Sequence, residues 1–583
     1  MTSSALVAGN SVILKSASQT PLIAQEMINI LHASGVPSDA LIHLTGPGST
    51  VGETLVTNDR VAGMVFTGSK EVGMDITHKM GRRIYKNKLY KLNYPVKVIT
   101  EMGGKNAVIV TGNAELDETV AGILYSAFAH SGQKCSAASR VLVDNRVKPR
   151  LLERLKEACL DLKVGKAIDL STTVNPVVTM KDKKRLQDSV VKATEEAKRF
   201  GGSVVVDRSQ EDFPGYCVGP AVVDLPISRA LKKDSFAYIE LFGPVVHIIG
   251  FDKIEEAIEV FNGTEYALTG GIFSQSQDDI DCITSKLECG NLYVNRTITG
   301  ARVAIEPFGG FKLSGTGPKA GGTSYVNVFH TMGEKIIDIE KSEAERGSDY
   351  QFSLCRPSRI PVEDRNEILL SALDGIVTHF EMLFHGPLGP CKETLVTFAE
   401  WLKLNFISYV TDQHSNRKIP GQISYNDYSM AEEHVLIVGH TGNPRFTTFM
   451  QFLAAFAMGT GITIVTRNSA SFEWWNKIKQ FFIKAGGKVE NIDVFFATEE
   501  LLVKSLKDPY ISSIVVDGNM DDVQAILDKI YDGTCIERRM KKVLTAYDSP
   551  MTEDFKGYLE KYAWIRAFAV NTMRHGAPLD LEL

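Results

Sequence analysis

The stretch that decides the fold is Ser11–Gly46, "SVILKSASQTPLIAQEMINILHASGVPSDALIHLTG". "SVILK" is a short apolar run of strand type, and "LIHLTG" is another. Between them, "TPLIAQEMINILHASG" is amphipathic with helical spacing, with Pro21 at its start and Gly35 near its stop. A helix "STVGETLVTN" (Ser49–Asn58) and an apolar strand ending in a Gly-Ser turn, "VAGMVFTGS" (Val61–Ser69), follow. Strand, helix, strand, helix, strand in this order implies a parallel, doubly wound α/β sheet of Rossmann type. The pattern stays α/β from about 103 to 300, through the strand "NAVIVTG", the helix "LDETVAGILYSAFAHSG", the strand "ASRVLVDN" and a charged helix near 181–200. Residues 340–364 are polar and aperiodic with two prolines, and read as a boundary. A second α/β region runs from there to Leu583.

The bulk numbers bound the function class. A chain of 583 residues is too long for one core and implies two to four domains. The net charge of -6 argues against a nucleic-acid partner, which needs a basic face. Eight cysteines show no C-x-x-C pair or metal-ligand spacing, so a reducing, cytoplasmic location is expected and no metal site. No basic segment followed by an apolar one opens the chain, so no signal peptide is read. "FTTFMQFLAAFAMGTGITIV" (Phe446–Val465) has the length of a membrane span, but its Thr, Gln and Gly content fits a buried helix, turn and strand.

The second region echoes the first. "LAAFAMGTGITIVTRNSASFEWWNKIKQFFIKAGG" parallels "SSALVAGNSVILKSASQTPLIAQEMINILHASG", and Gly9 and Gly459 stand 450 residues apart. The same offset separates Gly68 from Gly518. Two glycine turns with agreeing elements between them define a degenerate internal repeat. Lys15 corresponds to Val465 and Ser69 to Asn519, so the second copy has lost polar chemistry.

Two residues suggest chemistry. Cys135 in "HSGQKCSAASR" lies between a small-residue turn and a strand, with polar flanks that suit an exposed thiolate. By itself a lone cysteine is more often a small buried hydrophobe. Glu101 in "VITEMGGKN" ends an apolar strand before a Gly-Gly turn, which leaves space beside the carboxylate. Alone it reads as a solvated strand-end charge.

Together these segments form an ordered set: "FTGSKEVG" (Phe66–Gly73), Glu101, Cys135 34 residues later, "ELFGPV" (Glu240–Val245) and "EPFGGFKLSG" (Glu306–Gly315). The set resembles the aldehyde dehydrogenase superfamily over roughly residues 1–335. The resemblance implies that the Cys135 thiolate attacks an aldehyde. Hydride then passes to a nicotinamide cofactor. Glu101 activates water against the thioester, and the Cys135 N–H supplies an oxyanion donor. It further implies a cofactor site of Lys15, Ser18, Gly48, Gly68, Ser69, Gly73, Glu240 and Phe242, with glycine turns at helix N-termini suited to phosphates. Ser18 stands where many NAD-preferring members carry Glu, so NADP remains open beside NAD.

Three details narrow the resemblance: Ser136 after the nucleophile, "EMGGKN" with Met102, and "VNRTITGARVAIEPFGGFKLSGTGPKAGGTSY". They resemble the 1-pyrroline-5-carboxylate (glutamate γ-semialdehyde) dehydrogenases. That family implies Ser136, Ser314 and Gly315 as anchors for a substrate carboxylate. A dehydrogenase for another carboxylated aldehyde, or an inactive scaffold, are the competing readings. The order of a dehydrogenase and a degenerate copy resembles the back end of bifunctional proline-utilisation enzymes, whose FAD belongs to a proline dehydrogenase barrel not seen in this sequence. The expected division is 1–102 cofactor-binding, 103–303 catalytic, 304–345 a return segment with an oligomerisation or flap strand, 346–364 linker, and 365–583 a degenerate dehydrogenase-like domain. A small-molecule substrate and homo-oligomer or interdomain contacts through the C-terminal domain are the implied partners. The family's first strands would lie upstream, so Met1 is expected to be an internal methionine of a longer polypeptide.

Overall fold

The computed structural model describes residues 1–87, 92–330, 360–384, 389–411, 422–431, 434–439, 445–488, 491–531, 541–545, 555–571, 573–574 and 577–578. The linker 346–364 and the end of the return segment fall almost wholly outside the described residues.

A nine-stranded sheet carries the site. Its order is Gln422–Ala431, Ala563–Asn571, Asn291–Val294, Thr269–Phe273, Asn106–Val110, Ala138–Asp144, Val245–Phe251, Ala221–Asp224 and Ser203–Asp207. The central strands pair in parallel and are buried on both faces, as their continuous Val/Ile/Leu runs require. One apolar layer, including Leu116, Ile123, Phe128 and Leu151, covers one face, and a second, including Phe251, Val260, Phe261 and Leu292, covers the other. Two strands of this sheet come from the region beyond residue 365: Ala567 lies opposite Asn291 and Val570 opposite Val294.

The internal repeat is visible in three dimensions. Gly9 and Gly459 both end a helix with left-handed φ, +84° and +86°, a conformation that favours glycine. From there the two copies run in step. Val12–Lys15 corresponds to Gly461–Thr466, Leu41–Leu44 to Ile492–Phe496, and Gly63–Thr67 to Ser513–Asp517. Ser69 and Asn519 cap the next helices at the same place, accepting the Val72 and Asp522 N–H groups.

The copies differ at the centre. In the second, His434–Gly439 pairs in parallel with both Gly461–Thr466 and Ser513–Asp517, completing a five-stranded sheet. In the first, Val12–Lys15 pairs with Leu41–Leu44, and Gly63–Thr67 pairs with Lys97–Glu101, as two separate ribbons. Among the described residues no strand lies between them. The single doubly wound sheet expected there is therefore two parallel pairs, and Ile13, Leu22, Ile23 and Ile30 remain exposed.

The apolar helix Phe446–Met458 is buried from Thr447 to Met458 in the core of the second copy. No described helix is long and apolar enough to cross a membrane.

Candidate active site

Cys135 follows a strained turn. His130 and Ser131 take φ of +55° and +57°, and Gly132 +67°; left-handed non-glycine residues each cost on the order of 1–2 kcal/mol. Ser131 Oγ ties the turn to the Asn175 carbonyl. A Cβ on Gly132 would lie 2.3 Å from the Gly243 carbonyl oxygen, so only glycine fits. After the turn, Asn106 Nδ2 donates to the Cys135 and Ala137 carbonyls at 2.7 and 2.9 Å. The Cys135 thiol is pushed up to about 11, chiefly by burial, then by the Glu101 and Glu240 carboxylates, against the Ser136 and Cys135 amides. The site thus keeps the thiol protonated until a base or ligand changes its surroundings.

Glu101 ends the strand Lys97–Glu101 and is locked there by the loop 314–316. Met102 N–H donates to Ser314 O at 2.7 Å, and Thr316 N–H to Thr100 O at 3.0 Å. The carboxylate lies in a glycine-lined recess, where a Cβ on Gly309 or Gly315 would approach its oxygens to 3.0 and 3.1 Å. Both oxygens are buried without a hydrogen-bond partner. Burial pushes this carboxyl up to about 8, while Lys319 and the Gly310 amide pull it down.

Cys135 opens onto a cleft of about 1350 Å³, also lined by Gly68, Ser69, Gly103, Glu240 and Phe242. Glu240 Oε1 accepts the Gly104 N–H at 3.1 Å, and a Cβ on Gly103 would lie 2.0 Å from Glu240 Oε2. Phe242 holds φ of +51° and lines the cleft. The helix Lys70–Gly81 begins at this wall with its Ser69 cap, a setting for a phosphate. An acidic hydrogen-bond acceptor, an aromatic ring and a helix N-terminus around one nucleophile suit the nicotinamide half of a dinucleotide.

The remaining candidates sit elsewhere. Gly73 is buried behind Met102, whose sulfur would meet a Cβ there at 2.6 Å. Lys15, Ser18 and Gly48 do not line this cleft: Lys15 Nζ donates to Ser16 O at 2.9 Å, Ser18 Oγ to Gly46 O at 3.4 Å, and Gly48 opens a π-helical turn. Ser136 is buried beside the nucleophile, and its carbonyl accepts from Thr269 Oγ1 at 3.1 Å. Ser314 is fully buried, its hydroxyl oxygen accepting the Ala267 N–H at 3.0 Å. Gly315 forms a bridge with Glu101. In this structure Ser314 and Gly315 brace the carboxylate strand. Asn106 and Lys319 escaped the sequence reading, because one polar residue in a strand and one lysine in a glycine-rich loop carry no pattern of their own.

A model of the aldehyde dehydrogenase family matches residues 1–332. The 1-pyrroline-5-carboxylate dehydrogenase of Anoxybacillus flavithermus is 36% identical over 340 residues, covering 58% of this chain and 63% of that protein. The bifunctional protein PutA of Klebsiella aerogenes is 35% identical over 360 residues, 60% of this chain and 26% of its own. Among solved structures, proline utilization A from Bdellovibrio bacteriovorus, inactivated by N-propargylglycine, matches with 37% identity and a TM-score of 0.51, over 56% of this chain and 33% of that one. A Thermus 1-pyrroline-5-carboxylate dehydrogenase with bound NAD matches with 34% identity and a TM-score of 0.50, over 55% and 59%. The chain spans less than two thirds of the length of these relatives.

Proposed function

The chain belongs to the aldehyde dehydrogenase family, and from that premise we propose that it oxidises L-glutamate γ-semialdehyde, the open form of 1-pyrroline-5-carboxylate, to L-glutamate in proline catabolism. The observation that carries this reading is the pairing of Cys135, open to the cleft, with the recessed, unbonded Glu101 carboxylate. The named relatives support the choice of aldehyde.

The residues divide the work. The Cys135 sulfur attacks the aldehyde carbon as its thiol proton passes to the carbonyl oxygen, which the Cys135 N–H faces while charge develops there, and a thiohemiacetal forms. A bound nicotinamide dinucleotide supplies the hydride acceptor. Gly68, Ser69 and Gly103 would leave room for it, and Glu240 and Phe242 would hold its nicotinamide end. Hydride loss from the thiohemiacetal carbon, with its hydroxyl proton released to solvent, would leave a thioester on Cys135. Glu101 takes a proton from water as that water attacks the thioester carbonyl, and the thiol departs with the carboxylate product formed. Ser136, next to Cys135 in the chain, takes the substrate's own carboxylate in this reading. Lys15 and Ser18, beyond the cleft, belong to the adenosine end in this reading. We place the reaction in the cytoplasm, in keeping with free thiols at Cys135, Cys159, Cys217, Cys282 and Cys289.

The test is turnover of glutamate semialdehyde against succinate semialdehyde, with NAD and with NADP. Preference for the former supports the assignment. Equal or reversed preference overturns it.

A further inference from the structure

Lys319 is a buried lysine that the reaction above does not use. Its Nζ donates to Asn291 Oδ1 at 2.7 Å, to Pro307 O at 3.3 Å and to the Gly290 carbonyl. Three acceptors match the three N–H bonds of an ammonium, whereas a neutral amine has two. Burial pulls this lysine down to about 7, but the acceptor geometry favours its charged form.

The lysine and the general base share a wall. A Cβ on Gly309 would lie 3.0 Å from Glu101 Oε1 and 3.4 Å from Lys319 Cα, so Gly309 is the spacer between them. Asn291 closes the frame, since its Oδ1 also accepts the Gly309 N–H at 3.4 Å and its Nδ2 donates to Pro307 O at 3.0 Å. The other titratable groups that feel this pair are Cys135, Cys289 and Tyr325. Burial pushes them to about 11, 12 and 12, so all three are neutral near pH 7. Among the described residues Lys319 is the cation that acts on Glu101.

We propose that Lys319 is a positioning residue for the general base: its ammonium, fixed by Gly290, Asn291 and Pro307, is the counter-charge that lets Glu101 ionise inside its glycine recess. Burial opposes the Glu101 charge, and of the two groups that favour it Lys319 acts more strongly than the Gly310 amide, so the field of one fixed cation does most of that work. The base stays unbonded and free to meet water. This deepens the dehydrogenase reading and rests on it only for the role of Glu101 in turnover.

The experiment follows the Glu101 carboxyl directly in the full chain. Infrared difference spectra of wild type minus Glu101→Gln isolate its protonated C=O stretch, which is titrated with pH. Lys319→Met removes the charge. Lys319→Gln removes it but keeps a donor for the three oxygens, and carries the test if the Met variant does not fold. Lys319→Arg keeps the charge. The proposal expects the midpoint to rise by about one pH unit or more in the Met or Gln variant and to stay near wild type in Arg. The acid limb of the thioester-hydrolysis rate should rise with it. An unmoved midpoint in a folded Met or Gln variant overturns the proposal. A moved midpoint in a protein that turns over no semialdehyde sinks the dehydrogenase reading and leaves the coupling standing.

Discussion

Asn106 holds Cys135 from behind: its amide nitrogen donates to the Cys135 and Ala137 carbonyls, and its oxygen accepts the Thr269 N–H at 3.0 Å. One buried side chain thereby ties the nucleophile's turn to two strands of the central sheet. Asn106→Ala leaves these groups without that partner. We expect a stability loss of about 1–3 kcal/mol, the usual cost of a buried unsatisfied group, read by urea unfolding. We also expect kcat to fall by about 10²-fold, because a misplacement near 1 Å costs that much. Unchanged kcat would show that the turn holds itself.

Cys135→Ala should abolish dehydrogenation. Cys159→Ala and Cys391→Ala should leave kcat within about two-fold, since neither residue lines the cleft. Steady-state assays of the three variants decide this, and comparable losses in all three would contradict a single nucleophile.

Glu101 makes the protein's stability depend on pH. Its folded value, about 8, lies above the ordinary 4.5, so the folded state prefers the neutral carboxyl. Its contribution is fully present below about 4.5 and is lost as pH rises to about 8, at up to about 1.4 kcal/mol per pH unit. Glu101→Gln stays neutral throughout. Thermal melts should coincide at pH 4, and the Gln variant should melt roughly several degrees higher than wild type at pH 9.

Gly103 is hydrogen where any Cβ would meet the Glu240 carboxylate at 2.0 Å. In Gly103→Ala the carboxylate must swing away, which costs little stability because it is the far end of a flexible side chain. The cofactor should notice. KM for the nicotinamide cofactor is expected to rise about ten-fold, worth about 1.4 kcal/mol, with the melting temperature nearly unchanged.

Arg566 ties the last long strand to the sheet's flank. It pairs with Asp427, with Nε at 3.0 Å, and donates to Thr284 O at 2.7 Å. Arg566→Met removes the cation from this buried pair, at a cost of about 3 kcal/mol or more. Loss of activity on heating should shift to lower temperature together with global unfolding. Separate transitions would mean that the two regions are not one cooperative unit.

The sequence carried the site unevenly. Cys135 and Glu101 were legible because ordered motifs surround them, and the repeat was legible because glycine turns mark equal spacing. The resemblance implied Ser314 as an anchor for a substrate carboxylate, and no local sign showed that its oxygen also accepts the N–H of Ala267, 47 residues away in the chain. Lys319 was hidden because its meaning lies in Gly290, Asn291 and Pro307, which meet it only in the folded loop. The placement of Gln422–Ala431 and Ala563–Asn571 in the central sheet had no local sign, because pairing between segments far apart in the chain leaves each strand looking ordinary.

That last pairing sets an order of events during synthesis. The strand Asn291–Val294 emerges from the ribosome long before its neighbour Ala563–Asn571, to which it is tied at Asn295–Asn571 across 276 positions. Until the closing segment arrives, a nascent chain already carrying Cys135 and Glu101 holds an open, apolar sheet edge, the kind that pairs with strangers. Translation pace and chaperone capture over the intervening residues then bear on the yield of native protein, because the edge beside Asn291–Val294 closes only once Ala563–Asn571 has been made.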